Sequence, residues 1–171
     1  EVIGIFFAIF AYLAFSLLDT IQKTLIIYYS VFQILFIKYS FTFFLSFIES
    51  KRKKNFKFYL TSNWKLQLLR SLLSILESGC FILAFRYLSL ADAHSIGALT
   101  PIVVVVLSYI FLREKISPRI WFAVFIGFIG VLIVMRPGLT VFDPASLIPL
   151  AAAFFLGLYQ IITRKVSAVD N

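Results

Sequence analysis

The chain of 171 residues holds one cysteine, Cys80, and one histidine, His94. A single thiol excludes an intrachain disulfide scaffold and a multi-cysteine metal site. A single imidazole excludes the paired histidines of a HExxH zinc centre. Charge is also scarce: Asp, Glu, Lys and Arg make up 14% of the residues, against about 25% in an average soluble domain. That shortage excludes a water-soluble enzyme or nucleic-acid-binding domain, which needs a polar surface. No P-loop and no GxGxxG fingerprint is present, so no cofactor is expected. Ser95-Ile96-Gly97 beside His94 is no intramembrane protease site, because neighbours on one helix point about 100° apart.

What fills the chain instead is apolar: 61% of residues, with a mean hydropathy of +0.99. A helix needs about 20 apolar residues to cross a hydrocarbon core. Six stretches qualify or nearly do, predicting helices over about 2–22, 27–48, 64–85, 92–112, 119–136 and 144–164. The fifth is short, with Arg119 and Arg136 placed to snorkel outward at its ends. The first lacks a basic leading segment and a small-residue cleavage site, so it reads as a membrane helix rather than a signal peptide. The chain starts at Glu1 without an initiator Met and stops just after an apolar span, so it is expected to be a piece of something longer.

Basic residues set the expected orientation. One set of loops and ends carries Lys51, Arg52, Lys53, Lys54, Lys57, Lys65, Arg113, Lys115, Arg119, Arg164 and Lys165; the other carries Lys23, Arg86 and Arg136. The bias puts the amino terminus and the Lys51–Lys57 loop in the cytoplasm. That basic cluster serves as a topology signal or meets anionic lipid headgroups, with nucleic acid the weaker partner. The opposite turns are short, about eight residues around Lys23, seven over 86–92 and nine over 136–144, which makes successive helices antiparallel neighbours. Pro137-Gly138 should end the fifth helix and Asp143-Pro144 open the sixth.

Small residues four apart mark close helix packing in lipid. They occur as Ala91/Ser95 and Ala93/Gly97 in the fourth span, Ala123/Gly127 with Gly130 in the fifth, and Ala153/Gly157 in the sixth. The second span is dense in Phe and Tyr, which suits lipid or an aromatic-lined surface. Pro101 should bend the fourth helix and free a carbonyl near Gly97, either as a plain kink or as a polar contact beside a central path.

Polar groups at membrane depth carry the functional signal. Lys38 lies mid-span, where an unpartnered lysine costs about 2.5–3.5 kcal/mol. It must face water, a carboxylate or a solute. Glu77 sits at similar depth in the next helix, as a partner for Lys38 or as a neutral acid. Arg70, Ser74 and Glu77 form one stripe and read as a cavity wall. Asp19 and Lys23, four apart, have the spacing of a surface ion pair near the outer mouth, for anchoring or gating. His94 is an interfacial histidine or a pH-sensitive group, since imidazole changes charge near neutral pH. Tyr159 and Gln160 complete the cavity candidates.

A weak internal match sets AFSLLDTIQK (14–23) against FLGLYQIITR (155–164), placing Asp19 over Gln160 and Lys23 over Arg164. The offset spans five helices, and an odd number inverts the second copy, as in alternating-access carriers. Longer stretches carry a resemblance. They are RYLSLADAHSIGALTPIVVVVLSYIFLREKISPRIWFAVFIGFIGVLIVMRPG (86–138), FSLLDTIQKTL (15–25), QILFIKYSFTFF (33–44) and FDPASLIPLAAAFFLGLYQIITRK (142–165). Together they resemble the EamA-type, ten-helix branch of the drug/metabolite transporter superfamily, most of all its S-adenosylmethionine-uptake and general metabolite permeases. Asp19 and Lys23 match the family's common Asp and Lys; Lys38 stands where the family usually has Arg; Glu77 has no family counterpart.

The resemblance implies an all-α polytopic bundle, with 1–138 the first five-helix repeat and 139–171 the start of a second whose remaining helices lie beyond this chain. It implies secondary active transport, as exporter, importer or exchanger, of small polar metabolites such as amino-acid or nucleoside derivatives across a bacterial inner membrane. The expected partners are that metabolite, membrane lipids, a proton or counter-substrate, the second repeat and a second copy in a homodimer. The rival reading is a non-transporting membrane scaffold or assembly subunit.

Overall fold

The computed structural model describes residues 2–52, 63–135 and 144–169. Within them the chain is all-α: α1 (Val2–Leu25), α2 (Val31–Arg52), α3 (Trp64–Tyr87), α4 (Leu90–Gly97), α5 (Thr100–Leu107), α6 (Pro118–Met135) and α7 (Leu147–Val169). A π turn, Ser108–Leu112, extends α5, and a short 3-10 turn, Pro144–Ser146, leads into α7. α4, α5 and the π turn together make one span, so five helical units are long and apolar enough to cross a membrane. α6 is apolar but shorter, as its sequence predicts. Lys53, Lys54 and Lys57, Pro137-Gly138 and Asp143 lie outside the described residues.

The helix ends differ from the hydropathy reading, and side-chain caps explain how. α2 starts at Val31 because Ser30 and Gln33 form a reciprocal box: the Ser30 backbone N–H donates to Gln33 Oε1 (3.0 Å), and the Gln33 N–H donates to Ser30 Oγ (3.3 Å). α4 starts at Leu90 because Ser89 Oγ accepts from the Asp92 N–H at 3.1 Å. The α1–α2 turn is thereby cut to Ile26–Ser30 and the α3–α4 turn to Leu88–Ser89, both shorter than expected. One consequence concerns Lys38. It stands seven residues into α2, about 10 Å from that end rather than at mid-span.

The fourth span breaks rather than bends. Ala98 and Leu99 separate α4 from α5, with Leu99 N–H turning back to Ile96 O (3.0 Å). Pro101 falls in the first turn of α5, where a missing N–H costs little. The Gly97 carbonyl is not left open: Thr100 Oγ1 donates to it at 2.7 Å. At the far end, Arg113 closes the π turn in the left-handed region (φ 52°).

α3 is the central helix. α7 lies along it and also touches α4 and α5, while α1 and α2 pack on its other sides and α6 leans on α4 and α5. One apolar cluster (Ile26, Ile34, Leu35, Ile82, Phe85, Ala93) joins the α1–α2 turn to α2, α3 and α4. A second (Val104, Leu107, Ile161) joins α5 to α7. Close approach depends on small residues. Ala93 is buried, and a Cβ on Gly97 would lie 2.7 Å from Phe81 Cζ. Ala153 is buried, and a Cβ on Gly157 would lie 2.8 Å from Val103 Cγ1. The other pairs do not pack this way. Ala91, Ala123, Gly127 and Gly130 are exposed, and a Cβ on Gly127 would only touch Ile102 Cδ1 at an ordinary 3.8 Å.

The outer faces of α1 and α2 expose Phe6, Phe10, Phe36, Phe43 and Phe44. Exposed apolar side chains of this density are solvated by lipid. Hydroxyls on such helices bond to their own backbone, as Thr20 Oγ1 does to Ser16 O and Thr42 Oγ1 to Lys38 O. That removes an unsatisfied donor from an apolar solvent.

Candidate substrate cavity

A cavity of about 1030 Å³ opens among α1, α2, α3, α4, α5 and α7. Its aromatic wall comes from Tyr12 and Phe15 on α1 and Phe81 and Phe85 on α3. Its polar lining comes from Asp19, Gln22, Lys38, Glu77, Ser78, His94, Thr100 and Gln160. Pro101 and Ala98 contribute the broken part of the fourth span.

Antiparallel packing of α2 on α3 brings Lys38 and Glu77 to opposite sides of one hydroxyl. Lys38 Nζ donates to Ser78 Oγ at 3.1 Å, and Ser78 Oγ donates to Glu77 Oε2 at 3.1 Å. The two charges are therefore joined through a serine rather than clasped directly. Tyr39 adds a second support, its hydroxyl donating to Ser74 O (3.0 Å) and lying 3.4 Å from Ser78 Oγ. Ser78 is buried, while Lys38 and Glu77 are half-buried at the cavity edge.

Toward the α1–α2 turn, Asp19 Oδ2 meets His94 Nε2 at 3.1 Å. The imidazole stacks on Phe81 and lies against Phe85, each at a 5.9 Å ring separation. A smaller hollow of about 420 Å³ lies beside this pair, lined by Ser16 and Leu90 and sharing Tyr12, Phe15, Asp19 and His94 with the main cavity. The Asp19–Lys23 ion pair read from their spacing does not form. Lys23 Nζ instead donates to the carbonyls of Phe85 (3.0 Å) and Leu88 (2.7 Å), closing the C-terminal end of α3. A cation there also meets the negative end of the helix dipole. Lys23 is thus an anchor and does not line the cavity.

Arg70 and Tyr159 also stay off the cavity wall; Arg70 lies nearly two turns from Glu77 toward the start of α3. At the other end of the bundle, Arg164 Nη1 reaches Ser108 Oγ (3.4 Å) and Glu114 Oε2 (3.7 Å), tying α7 to the π turn.

Residues 2–136 match the EamA-like transporter family. The chain belongs to that family. It is 30% identical over 112 residues to a riboflavin transporter of Vibrio cholerae, covering 65% of this chain and 38% of that protein. Identity to a riboflavin transporter of Rhizobium johnstonii is 24% over 172 residues, covering 99% of this chain and 57% of that protein. A pseudopaline exporter of Pseudomonas aeruginosa is 24% identical over 102 residues, covering 59% of this chain and 36% of that protein. The chain therefore spans 38 to 57% of the length of the first curated relatives it matches. No solved structure gives a significant match.

Family membership and five helical units of membrane-spanning length make this EamA-like chain part of a multi-pass membrane protein. Among the described residues, no group of three or more His, Cys, Asp and Glu side chains converges to hold a metal. Three wall residues carry no sequence signal of their own. Gln22, Ser78 and Thr100 are uncharged and common in membrane helices, so nothing in composition separates them from helix-bonded neighbours.

Proposed function

We propose that this EamA-like chain builds much of the substrate path of a secondary active transporter. It would carry small polar metabolites, amino-acid or nucleoside derivatives, across the bacterial inner membrane. The observation that supports this best is the cavity itself: aromatic side chains share its lining with the Lys38–Ser78–Glu77 chain and the amides of Gln22 and Gln160. A planar heterocycle with a polar tail matches both kinds of lining, and a volume of about 1030 Å³ is ample for it. Relatives named as riboflavin transporters favour the same solute class, and S-adenosylmethionine also combines a heterocycle with a polar tail. Lys38, Glu77, Asp19, Gln160, Pro101 and His94 line the path in this reading; Lys23 and Arg164 brace its two ends.

The repeat division at 138/139 belongs to the proposal. Asp19 and Gln160, paired by the internal match, line one cavity. Lys23 and Arg164, paired the same way, each tie their helix to the end of another. The basic-residue bias favours a cytoplasmic amino terminus and Lys51–Lys57 loop, with a proton or a counter-substrate as driver.

The test uses the full-length protein in lipid vesicles, with riboflavin and S-adenosylmethionine as probes. Wild type takes up or exchanges one of them saturably. Lys38→Ala loses at least about tenfold in rate while inserting normally. Neither probe moving, with cavity positions sealed from water, favours the scaffold reading instead.

A further inference from the structure

Glu77 stands ten residues from the end of α3, about 15 Å along the helix from the turn that follows it. It is nevertheless open to the cavity. Its Oε2 accepts from Ser78, and among the described residues its Oε1 has no protein partner. The titratable groups around it from each neighbouring helix are few. α1 presents Asp19 and Tyr12, α2 presents Lys38 and Tyr39, its own helix adds Cys80, and α4 presents His94. α5 and α7 bring only the uncharged Thr100 and Gln160 as polar wall groups. Asp19 is already engaged by His94. Among the described wall residues Lys38 is the one fixed cation, and it reaches Glu77 through a hydroxyl.

This arrangement suits a carboxylate that changes charge rather than one that locks two helices. A direct ammonium–carboxylate clasp would have to break for the acid to take a proton. Here the free Oε1 receives it from cavity water, while Ser78 keeps its bond from Lys38 and its hydroxyl is free to rotate. Resting on the transport reading above, we propose that Glu77 is the proton-binding residue that couples solute movement to the proton gradient. One proton enters Oε1 from water on one side of the membrane and returns to water on the other when the cavity reopens. Nothing is oxidised or reduced, and Lys38 remains charged throughout as the counter-ion.

The test uses the full-length protein in vesicles of phosphatidylethanolamine and phosphatidylglycerol. Infrared difference spectra between acid and alkaline buffer report carboxyl protonation and need no solute. The protonated-carboxyl band of wild type should contain a component missing from Glu77→Gln and kept in Asp19→Asn. Glu77→Asp, which retains a carboxyl, should restore it and controls for folding. A band undiminished in Glu77→Gln overturns the assignment. With riboflavin as probe, Glu77→Gln should keep exchange across the membrane but lose accumulation driven by a pH difference. Equal accumulation in both proteins overturns the coupling and leaves transport standing. A wild type that moves no riboflavin counts against the proposed solute, and the infrared result then decides the proton site alone.

Discussion

At Gly157 a methyl group has nowhere to go. A Cβ there would sit 2.8 Å from Val103 Cγ1 and 3.2 Å from Leu107 Cδ1, so α7 touches α5 only because this residue lacks a side chain. Gly157→Ala should therefore destabilise the full-length protein by about 1–3 kcal/mol, read as a lower unfolding temperature in detergent. Gly130→Ala has open space around it and should move the other way, gaining up to about 1 kcal/mol of helix propensity. Ser78 gives a prediction of another kind. Ser78→Ala removes the link between Lys38 and Glu77 and should cost about 0.5–1.5 kcal/mol, with a fall in transport. The double swap Lys38→Glu with Glu77→Lys should recover more transport than either single change; purely additive losses would argue that the two residues do not interact. Residues were legible in sequence where depth made them costly, as for Lys38 and Glu77. Lys23 was not, because its partners lie 62 and 65 positions away and no local spacing announces them.

Helices as elements were readable because lipid demands long apolar runs, and the described helices follow those runs closely. Their ends were less so. Hydropathy cannot see a capping side chain, and the Ser30–Gln33 box moved the start of α2 by four residues from the expected position. Ser30→Ala should cost about 1 kcal/mol and speed amide exchange across the first turn of α2 without affecting α7. The break at Ala98–Leu99 was half legible: Pro101 announced an interruption, while Thr100, whose hydroxyl takes the Gly97 carbonyl, relocated it. Arg113 at φ 52° is an element-ending strain that glycine would relieve. Arg113→Gly should leave stability equal or raise it by about 1 kcal/mol, checked by the same unfolding assay.

For the whole molecule, the all-α membrane bundle was plain from composition alone, but which helices meet was not. Apolar attraction does not select partners in lipid, so α7 lying along α3 could be found only by fitting small residues together. Lys38 and Glu77 fell side by side because neighbouring antiparallel helices bring like depths together. Gln22 and Thr100 joined them by helix rotation, which one sequence does not encode visibly. The proposed function depends on that cavity being wet within a membrane. Cysteine access measures this directly, using a full-length Cys80→Ser background carrying Ser78→Cys, Gln160→Cys or Phe44→Cys, treated with a charged thiosulfonate added from either side. Modification is expected at positions 78 and 160, reachable from each side as the transporter cycles, and none at position 44 on the lipid face. Unreactive cysteines at 78 and 160, with reaction at 44, would contradict the proposed function.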